Sequence, residues 1–77
     1  MGMMILDAKG LKCPLPVLRA RKAMKAVAPG DILEVLSTDP SSVRDFQNYC
    51  ETTGDTLVDW RQEGEVYVFR IRKSDRV

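Results

Sequence analysis

Apolar and polar residues alternate in short runs along this chain, and turn residues divide them into six segments. Met3 to Asp7 reads as a first strand, followed by a loop through Gly10. A helix is predicted from Pro14 to about Val27, closed by Pro29-Gly30. Ile32-Leu33-Glu34-Val35-Leu36 reads as a second strand. Asp39-Pro40 has the form of an N-cap and first-turn pair, predicting a second helix from Pro40 to about Thr53 with Gly54 as its stop. Leu57 to Gln62 and Val66 to Arg72 read as strands of a hairpin turning at Glu63-Gly64.

The predicted order is β-α-β-α-β-β, an α/β two-layer sandwich whose two helices cover one face of a four-stranded sheet. Right-handed crossover makes the first two strands parallel, and the hairpin makes the last two antiparallel, so the sheet is mixed. At 77 residues the chain is expected to form one domain over positions 1–77.

Projected at about 100° per residue, the first helix turns Val17, Ala20, Met24 and Val27 inward, with Ala23 and Ala28 at the edges. Arg21, Lys22 and Lys25 point outward with Leu18 among them. A leucine in a basic sector is not explained by the core and is a candidate contact residue. On the second helix Val43, Phe46 and Cys50 form a core stripe. Cys50 is therefore read as packing, with a resolving thiol as the alternative.

Charge adds a segregation that the net value of +1 conceals. Between Ala8 and Gly30 lie six basic residues and no acid, whereas Asp31 to Glu65 holds nine acids against Arg44 and Arg61. Arg70, Arg72, Lys73 and Arg76 make the end basic again. Such an arrangement suits electrostatic steering of a partner. No run of apolar residues approaches a membrane span or a signal-peptide core, so a cytoplasmic protein with no membrane contact is expected.

Two cysteines, no histidine and no C-x-x-C leave no ligand set for a zinc site and no Cys–His couple. No metal or cofactor is expected. The chemistry falls to Cys13, in Cys13-Pro14-Leu15-Pro16. Prolines 14 and 16 fit the first turn of a helix, where the missing N–H groups cost no ladder bond. Cys13 is then expected at the N-cap, its thiolate favoured by the helix macrodipole and Lys12.

Leu6-Asp7-x-x-Gly10-x-x-Cys13-Pro14-x-Pro16, with Asp39-Pro40, Asp45-Phe46 and Tyr49-Cys50 further on, resembles the signature of the TusA/SirA-like sulfur-relay proteins. The likeness runs through nearly the whole chain. It implies the β-α-β-α-β-β sandwich, with Cys13 accepting sulfur as a persulfide and passing it on. Gly10, Pro14 and Pro16 would position the cysteine. The implied donor is a cysteine desulfurase or rhodanese. The implied acceptors are relay proteins of tRNA thiolation, molybdenum-cofactor enzymes or sulfur-oxidation systems. Leu15 stands where the best-known tRNA-thiolation member of the family that the chain resembles carries an acid.

The reading is of a sulfurtransferase-type carrier rather than a stand-alone catalyst, for Cys13 has no resident acid, base or metal in the motif. Lys12, Leu15, Leu18, Arg21, Lys22 and Lys25 are the expected partner-binding residues. The rival is a small RNA-binding or regulatory module built on the basic first helix and C-terminal tail. Against it, the acidic middle nearly cancels the charge, no RNP, G-x-x-G or helix-turn-helix signature is present, and Trp60 and Tyr67 read as sheet packing. No direct nucleic-acid contact is expected.

Overall fold

The computed structural model describes residues 2–74, so Arg76 of the basic tail lies outside the described residues. Six elements follow in the predicted order: β1 (Met3–Ala8), α1 (Leu15–Met24), β2 (Ile32–Ser37), α2 (Ser42–Thr53), β3 (Thr56–Glu63) and β4 (Val66–Arg72). The strands make one mixed sheet in the order β1-β2-β4-β3. β1 and β2 run parallel from Met3 opposite Ile32 to Ala8 opposite Ser37, and the two remaining pairs are antiparallel.

Alternation along β2 shows how the sheet divides its faces. Leu33, Val35 and Ser37 are fully buried, while Ile32, Glu34 and Leu36 are only partly covered on the other side. Ala20, Met24 and Val27 from the α1 side, and Phe46, Tyr49 and Cys50 from α2, close over the buried face with Phe69 and Ile71. The Phe46 and Phe69 rings lie 4.7 Å apart at the centre, and burying each contributes roughly 1.5–3 kcal/mol. Cys50 is a core residue, as its spacing predicted. Trp60 stacks on Phe69 at 6.2 Å and tilts towards Tyr67 at 6.5 Å, so both rings expected to pack on the sheet do so.

Both helices are shorter than predicted. α1 begins at Leu15, with Pro14 at the N-cap position, φ −97° and ψ 17°, and Cys13 one residue before it. Past Met24 the chain continues in tighter turns, the N–H groups of Ala26 and Val27 bonding to the carbonyls of Ala23 and Met24. Lys73 Nζ donates to the carbonyls of Met24 and Val27 at 3.0 and 2.8 Å, placing a cation on the C-terminal end of α1.

α2 starts at Ser42 after a turn in which the Ser42 N–H bonds the Asp39 carbonyl at 2.9 Å, so Asp39 lies ahead of the cap. Gly54 ends it in the left-handed conformation, φ 85°, with its N–H on the Cys50 carbonyl. Among the described residues no helix is long and apolar enough to cross a membrane.

Candidate functional site

Parallel pairing of β1 and β2 brings the carboxyl ends of both strands to one edge of the sheet, so the loops that leave them meet. The first loop carries Cys13 and the second carries Asp39 and Ser41. Gly10 makes the first loop possible: its φ of +84° is a conformation that side chains resist, and its N–H donates to Thr38 Oγ1 at 3.0 Å. Three residues on, the Cys13 N–H donates to Asp39 Oδ2 at 2.6 Å. Residues of β2's outgoing loop thus hold the cysteine loop at two points.

The second loop is itself braced. Asp39 Oδ1 accepts from the Ser41 N–H at 3.0 Å and from the Ser41 hydroxyl at 2.8 Å. Beneath it the buried hydroxyls of Ser37 and Ser42 satisfy each other at 2.6 Å, and Ser37 Oγ also accepts from the Asp39 N–H at 3.2 Å. These bonds to Asp39 hold its carboxyl below the ordinary carboxylate value, the Cys13 backbone bond being the largest contribution; Lys12 adds its charge.

Cys13 is exposed and its thiol free, whereas Cys50 is buried. Burial of Cys50, with the nearby charge of Asp55, pushes its thiol up to about 11. The expected thiolate-favouring environment of Cys13 does not form. The Asp45 carboxylate is the largest influence on the thiol and raises its value above that of an ordinary cysteine. Some desolvation and the charges of Asp45 and Asp39 push the same way, and the Ser41 hydroxyl alone among the causes opposes them. The physical reasons are plain in the geometry. Prolines 14 and 16 have no N–H to offer, and the Leu15 N–H is taken by the Lys12 carbonyl at 2.8 Å. Cys13 is not the N-cap, and Lys12 acts on Asp39.

Pro16 is buried in the first turn of α1 and Pro14 is exposed beside the cysteine. Leu15 and Leu18 are 44% and 52% exposed, which for leucines beside a reactive residue leaves two apolar surfaces uncovered. Lys12, Arg21, Lys22 and Lys25 are all exposed near them. Arg21 also leans over the Tyr49 ring, 6.0 Å from its centroid. Val17, Arg21 and Pro14 form one bank of a shallow groove between the helices, and Asp45, Asn48, Tyr49 and Thr52 the other. Among the described residues no group of three or more His, Cys, Asp or Glu side chains is placed to hold a metal ion.

Ser41 and Thr38 were not singled out in the sequence, and Asp39 and Asp45 entered it as parts of the family signature, Asp39 also as a helix cap, but neither as a site residue. The signal was available in the topology: two parallel strands place their outgoing loops side by side.

The family model for sulfurtransferase TusA matches residues 4–73. A sulfur carrier protein TusA of Allochromatium vinosum is 48% identical over 69 residues, covering 90% of this chain and 91% of the relative. A putative sulfur carrier protein of Bacillus subtilis is 41% identical over 70 residues, covering 91% and 93%. The crystal structure of a SirA-like protein from Desulfitobacterium hafniense superposes with a TM-score of 0.81 at 27% identity, covering 95% of this chain and all of that one. With the family model matched over residues 4–73 and relatives this similar along nearly its whole length, the chain belongs to the TusA sulfurtransferase family.

Proposed function

We propose that this protein relays sulfur between proteins as a persulfide on Cys13. The single observation that carries the reading is that, of its two thiols, only Cys13 is exposed, on a loop anchored to the rigid end of the sheet. Loading is an exchange of one S–S bond for another. Cys13 Sγ attacks the outer sulfur of a donor persulfide, the new S–S bond forms, and the donor's own S–S bond breaks with its electron pair passing to the donor thiolate. The Cys13 proton ends on that thiolate, so a donor persulfide and a thiol become a thiol and a Cys13 persulfide with no net oxidation. Delivery repeats the exchange with Cys13 as the leaving group.

A sulfur carrier works between a protein donor and a protein acceptor. The donor proposed here is a cysteine desulfurase or rhodanese. Leu15 and Leu18 form the apolar centre of the docking surface, with Lys12, Arg21, Lys22 and Lys25 as a basic rim that sets the approach rate. Stopped-flow transfer from a rhodanese loaded with thiosulfate, at two salt concentrations, tests both parts. Cys13→Ser abolishes acceptance. Leu18→Ala weakens the complex through faster dissociation, and Lys22→Glu lowers the association rate and its salt dependence. Transfer indifferent to both surface changes would place the partner elsewhere.

The RNA-binding alternative draws no support from these comparisons or from the disposition of the tail. Lys73 is spent on the end of α1, and Arg70 pairs with Asp59 at 3.4 Å.

A further inference from the structure

Cys13 lies within four consecutive exposed residues, Lys12 to Leu15, between Leu11, which packs against the core, and Pro16, which is buried in the first turn of α1. An untied stretch of that length would leave the direction of the sulfur open. The Leu15 N–H stays within the segment, on the Lys12 carbonyl at 2.8 Å, and the Pro14 carbonyl accepts from the Leu18 N–H at 3.1 Å in the helix that follows. The Cys13 N–H instead crosses to the other loop and donates to Asp39 Oδ2 at 2.6 Å. Pro14 restricts Cys13 on its C-terminal side, because the residue before a proline is kept out of the helical region.

Asp39 is itself immobilised. It is half-buried, its N–H donates to the buried Ser37 hydroxyl at 3.2 Å, and that hydroxyl is paired with the buried Ser42 hydroxyl at 2.6 Å. Its second carboxylate oxygen accepts from the N–H and the hydroxyl of Ser41 at 3.0 and 2.8 Å. A carboxylate held in this way does not follow a moving loop. It ties the cysteine backbone to the buried end of β2 through a charge-assisted bond.

We propose that Asp39 is a positioning residue of sulfur transfer, its carboxylate fixing the Cys13 backbone so that Sγ faces a docked partner in one direction. The proposal rests on the carrier reading.

Transfer needs direction. Cys13 Sγ attacks the outer sulfur of the donor persulfide in line with the bond that breaks. The new S–S bond forms, the electron pair of the old one leaves on the donor sulfur, and the Cys13 proton ends there. A donor held in a docked complex offers that bond from one side, and a misplacement of about 1 Å costs up to about a hundredfold in rate. A small electrophile in solution approaches from any side. Loss of the tie should therefore slow a protein donor and leave a small reagent unaffected.

Asp39→Ala removes the tie. Asp39→Asn keeps a carbonyl oxygen for the Cys13 N–H while its amide turns to the Ser41 hydroxyl, which can accept as well as donate. Amide hydrogen exchange at Cys13, followed by NMR, reads the tie in the unloaded protein, and single-turnover transfer from a rhodanese loaded with thiosulfate reads its effect. In wild type the Cys13 amide should exchange more slowly than an unstructured one. Asp39→Ala, shown to be folded by thermal unfolding, should speed that exchange and slow transfer, each by about tenfold, with alkylation of Cys13 by iodoacetamide no slower than in wild type. Asp39→Asn should recover most of both. A wild-type Cys13 amide that exchanges as freely as an unstructured one would overturn the proposal whether or not the alanine variant folds. Undiminished transfer in a folded Asp39→Ala would overturn it too. So would transfer lost in Asp39→Asn with its Cys13 amide still protected, since the carboxylate would then be a contact of the partner. Failure of wild type to take up sulfur at all would instead contradict the carrier reading, and the exchange rates would still decide whether Asp39 fixes the cysteine.

Discussion

Replacing Cys50 by alanine separates the two cysteines most sharply, because it disturbs the core without touching the site. The side chain is 8% exposed and sits in the cluster with Phe46, Phe69 and Ile71. Alanine removes one sulfur and leaves a void of about one heavy atom, comparable to an Ile→Val change at about 0.5–1.5 kcal/mol. For a domain of this size each kcal/mol lowers the melting temperature by about 4–8 °C, so a drop of roughly 2–12 °C is expected in a thermal melt. Sulfur loading should be untouched. A thiol at about 11 is ionised to about one part in a thousand at pH 8, three units below. An ordinary thiol, at 9.0, is ionised to about one part in eleven at that pH. Cys50 therefore starts about ninetyfold behind an ordinary thiol before any cost of opening the core. Intact mass of Cys50→Ala after incubation with polysulfide should show the same gain as wild type. A folded variant that no longer takes up sulfur would refute the assignment of Cys50 to packing.

Other consequences follow from named contacts. Lys73→Met keeps the aliphatic stem but strips two charge-assisted bonds from the end of α1; a loss of about 1–3 kcal/mol is expected, read as a lower urea midpoint with sulfur loading intact. Alkaline pH should destabilise the fold through two buried groups, Cys50 at about 11 and Tyr49 at about 12, both raised chiefly by burial from ordinary values of 9.0 and 10.0. A raised acid contributes stability that is complete below its unfolded value and lost as pH rises through the folded one, so the urea midpoint should fall between pH 9 and 12. Cys50→Ala should flatten the part of that decline between pH 9 and 11.

What the sequence disclosed and what it concealed divide along a physical line. The apolar runs of β2 and β4, the 3.6-residue stripe of Val43, Phe46 and Cys50, and Gly54 as a stop are local signals, and β2, β4 and the end of α2 appeared where they put them. The way α1 ends was not legible locally, since Lys73, 46 residues beyond Val27, donates to the carbonyls there. The electrostatics of Cys13 were misjudged for the same kind of reason. Lys12 and the helix end are near in sequence, whereas Asp39 and Asp45 arrive through strand pairing, 26 and 32 residues away. The right-handed crossover that made β1 and β2 parallel already implied that these loops meet. Which side chains would face the sulfur depended on the turn at Asp39, where the carboxylate bonds the cysteine backbone and Ser41 ahead of the helix.

The central claim, that Cys13 carries sulfur received from another protein, is tested most directly by the mass of the intact chain after mixing with a cysteine desulfurase and free cysteine. The expected result is a gain of one sulfur atom that maps to the peptide containing Cys13, disappears on reduction, persists in Cys50→Ala and is absent from Cys13→Ser. A gain located on Cys50, or no gain on Cys13 while the desulfurase turns over, would contradict it.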